Sequence, residues 1–371
     1  MSDAFSPPAS EDVNMPLPNA AVSHILLLAT INDLSTPCFL APAIASAARC
    51  TRDRLVIVLF SRLFNTGRRS RSPLSGRHEE KGRRRQSVES SHSSSSAGVS
   101  HTERWDDVQR LLTYVYVQAT AVAQVLDRVL LQVDVLLRGF DQDLGEDFGK
   151  DFEVVIRIEG DCIPVPLPES ITSLRTAWSK PGDRVMDSGV DPASPNASGS
   201  DPPSYPVVAL GGTFDHLHAG HKILLSMAAW IADEKVIVGV TDDALLTKKE
   251  NKNVLESLPE RMRGVRRFME LFKPSLFYDI VPLNDIYGPT ATDPNIQALV
   301  VSKETASGGS AVNKCREEKV FSPLKIFEID VISHSSSRLD VEDVEALKRA
   351  KMSSTFIRQW IVSRQRGVSG T

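Results

Sequence analysis

The chain is poor in cysteine and lacks any cysteine pairing pattern. Its four cysteines, Cys38, Cys50, Cys162 and Cys315, stand far apart in 371 residues, and none belongs to a C-x-x-C pair. A disulfide framework and a cysteine-rich zinc module are therefore excluded, and reduced thiols in a cytosolic protein are expected. Long apolar runs are missing as well. None approaches the ~20 residues of a membrane helix. The N-terminus has no basic stretch before an apolar one; it carries Asp3, Glu11 and Asp12, so no secretory signal is predicted. Without such a signal, Asn196-Ala-Ser198 reads as a chance match to the glycosylation pattern. A basic excess is also lacking: the net charge of −4 argues against a dedicated nucleic-acid binder. The expected location is cytoplasmic, with the nucleus open, and neither membrane nor nucleic acid is expected as a partner.

What is present is an ordinary soluble composition, 41% hydrophobic and 24% charged, in a length that suggests two domains. Residues 1–20 are rich in Pro and Ala and are expected to be disordered. "SHILLLATI" and "RLVIVLF" read as strands flanking an Ala-rich helix around Pro42–Arg49. Residues 67–100 are Arg- and Ser-rich with almost no apolar side chains, so a disordered insertion is expected. Within it, Arg83–Ser87 has the pattern of a basophilic kinase site, with Ser87 as acceptor; a plain solvated insertion is the competing reading. From Trp105 to Leu130 apolar residues recur at three- and four-residue steps and predict a helix. The following "LLQVDVLL" also suits a strand, and "FEVVIRI" reads as another. Residues 21–178 are thus expected to form a smaller α/β region without any catalytic motif, followed by a Pro/Ser/Gly linker at 179–204.

From residue 205 to 371 strands and helices alternate. "PVVAL", "KVIVGV", "LFYDIVPL", "QALVVS" and "LKIFEIDVI" are strand-like. "HKILLSMAAWIADE", "LPERMRGVRRFMELF" and "SSTFIRQWIVSR" are helix-like, with Pro259 suited to a first turn and Ser to a cap. This alternation predicts an α/β fold with a mostly parallel sheet, whose ligands bind beyond the C-terminal strand ends.

The first of those strand ends carries "PVVALGGTFDHLHAGHK". Gly211 and Gly212 let backbone amides approach a ligand, and the helix that starts near His218–His221 favours an anion at its N-terminus. A phosphate site follows from both. The pattern H-x-H-x-x-H, His216, His218 and His221, also supplies the three protein ligands of a catalytic zinc site, although a helix N-terminus disfavours a cation. A purely structural role is the third reading. The residues alone leave these open.

"GGTFDHLHAGH" resembles the G-T-F-D-x-x-H-x-G-H signature of the nucleotidylyltransferase superfamily, which uses His218 and His221 and leaves His216 at a variable position. "KMSSTFIRQ", Lys351–Gln359, resembles its second signature, a Ser/Thr-rich loop with an Arg near the C-terminus. Between them, "GVTDDALLTKKENKNVLESLPERMRGVRRF", "LNDIYGPT" and "LVVSKETASGGSAVNKCREEK" resemble the eukaryotic, fungal-type phosphopantetheine adenylyltransferases. The segment Thr305, Gly308, Gly309, Asn313 is distinctive of that branch. The resemblance covers about residues 205–366, and one departure is Ile286, where Pro is expected.

The resemblance implies a Rossmann-like fold for the second half and transfer of AMP from ATP to 4′-phosphopantetheine, giving dephospho-CoA and pyrophosphate in coenzyme A biosynthesis. His221 would donate to the α-phosphate in the transition state, with His218 beside it. Thr213 and either Lys248 or Lys249 would orient the attacking phosphate. Gly211, Gly212, Thr213 and Phe214 would form one side of the ATP phosphate site; Ser353, Ser354, Thr355 and Arg358 would form the other. Mg²⁺ would accompany ATP, with no metal ligands from the chain. Asp215 would brace the turn or act directly. Arg261, Arg263, Arg266 and Arg267 lie on one expected helix and are read as mainly solvated or ion-paired, with contact of one of them to phosphopantetheine or adenylate as the competing reading. No G-x-x-x-x-G-K-[ST] loop is present, so a monofunctional enzyme without a dephospho-CoA kinase domain is expected. Other cytidylyl- or adenylyltransferases share both signatures. A scaffold of a CoA-synthesising complex is the rival of another class, and the first half is a candidate docking surface for other CoA enzymes.

Overall fold

The structure, a computed structural model, describes residues 20–66, 99–183, 201–329 and 353–368. Much of 1–20, most of the Arg/Ser-rich insertion with Ser87, most of the linker and Lys351 lie outside the described residues.

Strands β1 (Val22–Thr30), β2 (Thr51–Phe60), β3 (Gln132–Arg138), β4 (Val154–Ile158) and β5 (Arg175–Ser179) form one sheet in the order β3-β2-β1-β4-β5, every pairing parallel. Leu55–Phe60 are buried without alternation, which means that both faces of the sheet are covered there. Helix α1 (Ala41–Cys50) turns Ala43, Ile44, Ala47 and Ala48 inward and packs against α2 (Trp105–Val125). A one-turn helix, α3 (Glu169–Thr172), precedes β5. At the end of β1, the backbone N–H of Thr30 donates to Asp161 Oδ2 at 2.8 Å, just past the end of β4.

The second sheet is built from β6 (Tyr205–Gly212), β7 (Ala232–Thr241), β8 (Phe277–Leu283), β9 (Ala298–Ser302) and β10 (Lys325–Ile329), in the order β10-β9-β6-β7-β8, again all parallel. Its helices are α4 (Ala219–Ile231), α5 (Leu258–Phe272), α6 (Ala306–Glu318) and α7 (Ser354–Val368). Both sheets wind alike. The first strand is central, the next two lie on one side and the last two on the other. That is the strand order of dinucleotide-binding α/β folds, with the switch point beside the central strand.

Two boundaries differ from the sequence reading. The helix expected to run to Leu130 stops at Val125, because Asp127 takes a left-handed backbone (φ 55°) and "QVDVLLR" pairs as β3. The helix expected to include "ADE" stops at Ile231, and Ala232 already opens β7. Three elements have no counterpart in the sequence reading, the single-turn α3, β5 and α6. β5 is short and weakly apolar. α6 opens "ASGGS", a poor helix sequence that tertiary packing overrides.

The two sheets are joined by buried polar contacts. Trp230 Nε1 donates to His101 O at 2.8 Å, and its ring lies 4.2 Å from the His101 ring. Arg138 donates to Phe272 O and Leu271 O, both at 2.6 Å. One continuous apolar cluster runs through both halves. Among the described residues no helix is long and apolar enough to cross a membrane.

Candidate active site

The turn after β6 sits at the switch point of the second sheet. A Cβ on Gly212 would lie 3.1 Å from the ring of Phe214, which folds back beneath the turn and is fully buried. On the neighbouring strand, a Cβ on Gly239 would lie 2.5 Å from Leu283, so a side chain there would have to displace that leucine. Phe214 and His216 take left-handed backbone angles (φ 52° and 45°), which turns the chain sharply between β6 and α4.

Helix α4 begins directly after His218, its N-cap, and no side chain caps it. Its first-turn amides therefore remain available to an anion. His218 and His221 stack at that end, ring centroids 4.0 Å apart, and Phe214 supports His221 at 5.3 Å. Burial holds both imidazoles neutral. The His218 pKa is lowered to about 4 and that of His221 well below the ordinary value. The Nδ1 atoms of both are buried without a hydrogen-bond partner.

His216 points elsewhere. Its Nε2 lies 2.8 Å from Val254 O, and its backbone N–H donates to Glu256. The three histidines thus do not converge as one ligand set. Asp215, His216 and Glu256 do lie close together. Their atoms are already committed: Asp215 Oδ1 accepts from Glu256 N at 2.9 Å, and Oδ2 accepts from Arg358 at 2.5 Å.

That last contact joins the two signatures. Arg358 is buried, donating to Asp215, to Glu250 O at 2.9 Å and to Thr355 Oγ1 at 3.2 Å. Ser354 Oγ donates to Asp215 O at 2.8 Å, and Ser353 caps α7 by accepting from Phe356 N. The structure therefore brings Ser353, Ser354, Thr355 and Arg358 to the turn after β6. It turns Arg358 toward a carboxylate rather than toward open space, and Asp215 is the brace between the motifs. Arg261 has a similar part: it is buried and donates to Thr213 O (2.7 Å), Thr241 O (2.8 Å) and Glu256 O (3.0 Å), while pairing with Asp243. Arg263, Arg266 and Arg267 are exposed. Lys248 and Lys249 lie exposed in the loop after β7, at the same edge of the sheet as the turn. Gly211 and Thr213 stay accessible at that edge.

The segment around Thr305–Asn313 is scaffold. Thr305 closes a capping box with Ser302, Gly309 admits Ile326, and Asn313 bonds both backbone groups of Leu324. Lys222, in the first turn of α4, was not singled out by sequence reasoning. Its ammonium is buried against Asp134 of the first sheet at 2.7 Å. A lone aspartate inside an apolar strand, "VDVLL", is the signal that points to such a partner.

The neutral imidazoles carry a stability consequence. His218 and His101 both have folded pKa values of about 4 against 6.5. Between these values the unfolded chain binds more protons than the folded one. Their contribution is therefore present above about pH 6.5 and is lost as the pH falls toward 4. Unfolding free energies from urea titrations between pH 7 and 4 should fall by up to about 1.4 kcal/mol per pH unit per histidine. A His101→Gln variant should show a shallower slope.

Comparison with known proteins follows the same geography. Residues 209–360 match the family model described as cytidylyltransferase-like. The chain is 42% identical over 182 residues to a phosphopantetheine adenylyltransferase of Saccharomyces cerevisiae, covering 48% of this chain and 57% of that protein. It is 42% identical over 131 residues to one of Methanopyrus kandleri, covering 35% and 82%. It is 36% identical over 152 residues to one of Pyrococcus furiosus, covering 41% and 92%. The chain thus spans little more than half of the yeast relative but most of the archaeal ones.

Proposed function

The chain belongs to the phosphopantetheine adenylyltransferase family, and from that premise we propose that it transfers AMP from ATP to 4′-phosphopantetheine, releasing pyrophosphate and dephospho-CoA. The observation that carries the reading is the uncapped start of α4, with two neutral stacked imidazoles, held by Asp215–Arg358 against the Ser/Thr-rich start of α7. An uncapped helix end beside a hydroxyl-rich helix start suits a polyphosphate.

The acceptor is a phosphate monoester, mostly ionised at neutral pH with a second pKa of about 6. It needs no general base. Catalysis then reduces to alignment and to stabilising charge on the α-phosphoryl group. A neutral imidazole has one proton to place. With Nδ1 buried and without an acceptor, the tautomer protonated on Nε2 strands no donor. His221 and His218 are accordingly assigned as Nε2–H donors to the phosphates, His221 to the α-phosphate. Thr213 and one of Lys248 and Lys249 are assigned to the acceptor phosphate. Gly211, Gly212 and Phe214 shape the approach of ATP. Ser353, Ser354 and Thr355 are assigned to the β- and γ-phosphates, with Arg358 acting through Asp215 and the seat of α7. Mg²⁺ is assigned to the triphosphate itself. Asp215 and Glu256 are committed within the protein and do not form a ready ligand pair, so no step is routed through a metal. We place the enzyme in the cytoplasm.

The test is a panel of donors and acceptors with pyrophosphate release as readout. ATP with 4′-phosphopantetheine should turn over, whereas CTP with the same acceptor and ATP with nicotinamide mononucleotide should be at least ~10²-fold slower. Preference for either alternative pair would replace this function by another nucleotidyl transfer.

A further inference from the structure

The first half reaches both α4 and α7 through one short segment, which runs from the end of α2 into β3. Asp127 stands at its start. Its carboxylate accepts from Trp360 Nε1 on α7 at 2.6 Å and forms an ion pair with Arg364 on the same helix. Val129 follows and forms a small buried cluster with Ile357, joined by Trp360 and Ile361. At the far end, Val133 O and Asp134 Oδ1 accept from Lys222 Nζ of α4, at 2.8 and 2.7 Å. Asp134 is held in turn by two nitrogens of Arg54, at 3.1 and 3.0 Å. Between these ends, Arg128 donates to the carbonyls of Arg49 and Thr51, at 2.7 and 2.6 Å, and so fixes the segment to the first sheet. Eight residues therefore touch both helices whose first turns form the phosphate site, from a base anchored elsewhere.

The chemistry at the two ends differs. Lys222 follows His221 directly and shares its helical turn, so the depth and rotation of the first turn of α4 depend on where its ammonium is seated. That seat is buried, and an ammonium taken from water is retained only with a close anionic partner. Burial alone would raise the Asp134 pKa. The charges of Lys222 and Arg54 outweigh it, and the carboxyl stays ionised with its pKa lowered. The seat of α7 is different, being half exposed at Asp127 and apolar at Val129. Within the second half, α7 is held to the turn after β6 through Ser354 and Arg358. Asp127 holds it one and two turns further along.

We propose that the segment from Asp127 to Asp134 is a positioning element for adenylyl transfer, with Asp134 setting the first turn of α4 through Lys222 and Asp127 setting α7 through Trp360. This rests on the function proposed above. Neither residue touches the reacting atoms. The two act on different helices and therefore on different kinetic constants. Misplacing His221 weakens an interaction made in the transition state, which lowers kcat; misplacing α7 weakens ATP binding, which raises KM.

The experiment compares Asp134→Asn and Asp127→Gly in the full chain. Glycine keeps the left-handed backbone that Asp127 adopts. Asp134→Asn is expected to lower kcat about tenfold with KM for both substrates within about twofold. Asp127→Gly is expected to raise KM for ATP about tenfold with kcat within about threefold. Asp127→Asn, which keeps an acceptor for Trp360, should restore most of that KM. Ile57→Val, in the core of the first sheet, serves as a destabilised control and should lower the melting temperature without moving either constant. Hydrogen exchange provides a readout independent of turnover. The amides of the first turns of α4 and α7 should exchange faster in Asp134→Asn and Asp127→Gly respectively, and not in the control. Kinetic constants within twofold of wild type would overturn the proposal, as would losses that track only the fraction folded, or exchange changes confined to the first half. If the wild-type chain transfers no adenylyl group, the function above fails, and the exchange measurement alone decides whether the segment positions the two helices.

Discussion

His221→Ala lowers the rate of pyrophosphate release from ATP and 4′-phosphopantetheine by at least ~10²-fold, the loss expected when one preorganised transition-state donor is removed. The argument begins with position. His221 lies in the first turn of α4, its ring stacked on His218 and backed by Phe214. A side chain held on two faces has little rotational freedom left to lose on meeting a substrate. Its neutrality matters as well. A protonated imidazole would bind ground-state ATP as tightly as any cation. A neutral N–H gains most where charge grows during the reaction. The loss should therefore appear in kcat, with KM for ATP changing less. A mutant that keeps most of its turnover would remove His221 from the chemistry.

Deleting residues 1–200 abolishes soluble, active protein. In α4 every residue from Lys222 to Ile231 is buried, although only part of that surface faces its own sheet. The rest is covered by α5 and by α2 of the first half, whose β3 takes up the Lys222 ammonium. Removing the first half bares Trp230, which packs on Phe64 and His101, and leaves Arg138's acceptors, the last carbonyls of α5, without their donor. At roughly 25 cal/mol per Å² of apolar surface, a few hundred Å² amount to several kcal/mol, comparable with the whole stability of a domain. Soluble yield and turnover of residues 201–371 measure this directly. Full activity in that fragment would make the first half a separable module.

The site was legible in the sequence where chemistry needs fixed spacing. The glycine turn, the histidines one helical turn apart and the Ser/Thr loop with its arginine are local patterns, and the structure brings them to one edge. Two things were not legible. Arg358 reads as a phosphate ligand from its motif, yet its partner Asp215 lies 143 residues earlier, and no local pattern announces an ion pair closed by folding. The contacts of Asp127 and Asp134 are likewise long-range. Asp127 also ends a helix that apolar periodicity would have carried on, because a single left-handed residue outweighs several well-placed apolar ones. The strand order of the first half was hidden for a related reason: register and order are decided by packing between distant segments.

The two sheets wind alike, but their crevices differ in sign. Beyond the central strand of the second sheet lies an uncapped helix start beside neutral rings. At the matching place in the first, the free amide of Thr30 is already taken by the carboxylate of Asp161. A polyanion approaching that end would meet a negative charge seated where its own oxygen should go. Two architectures of one pattern thus offer a nucleotide unequal welcomes, and in the first an internal carboxylate already occupies the strand-end amide, as a permanently bound ligand would.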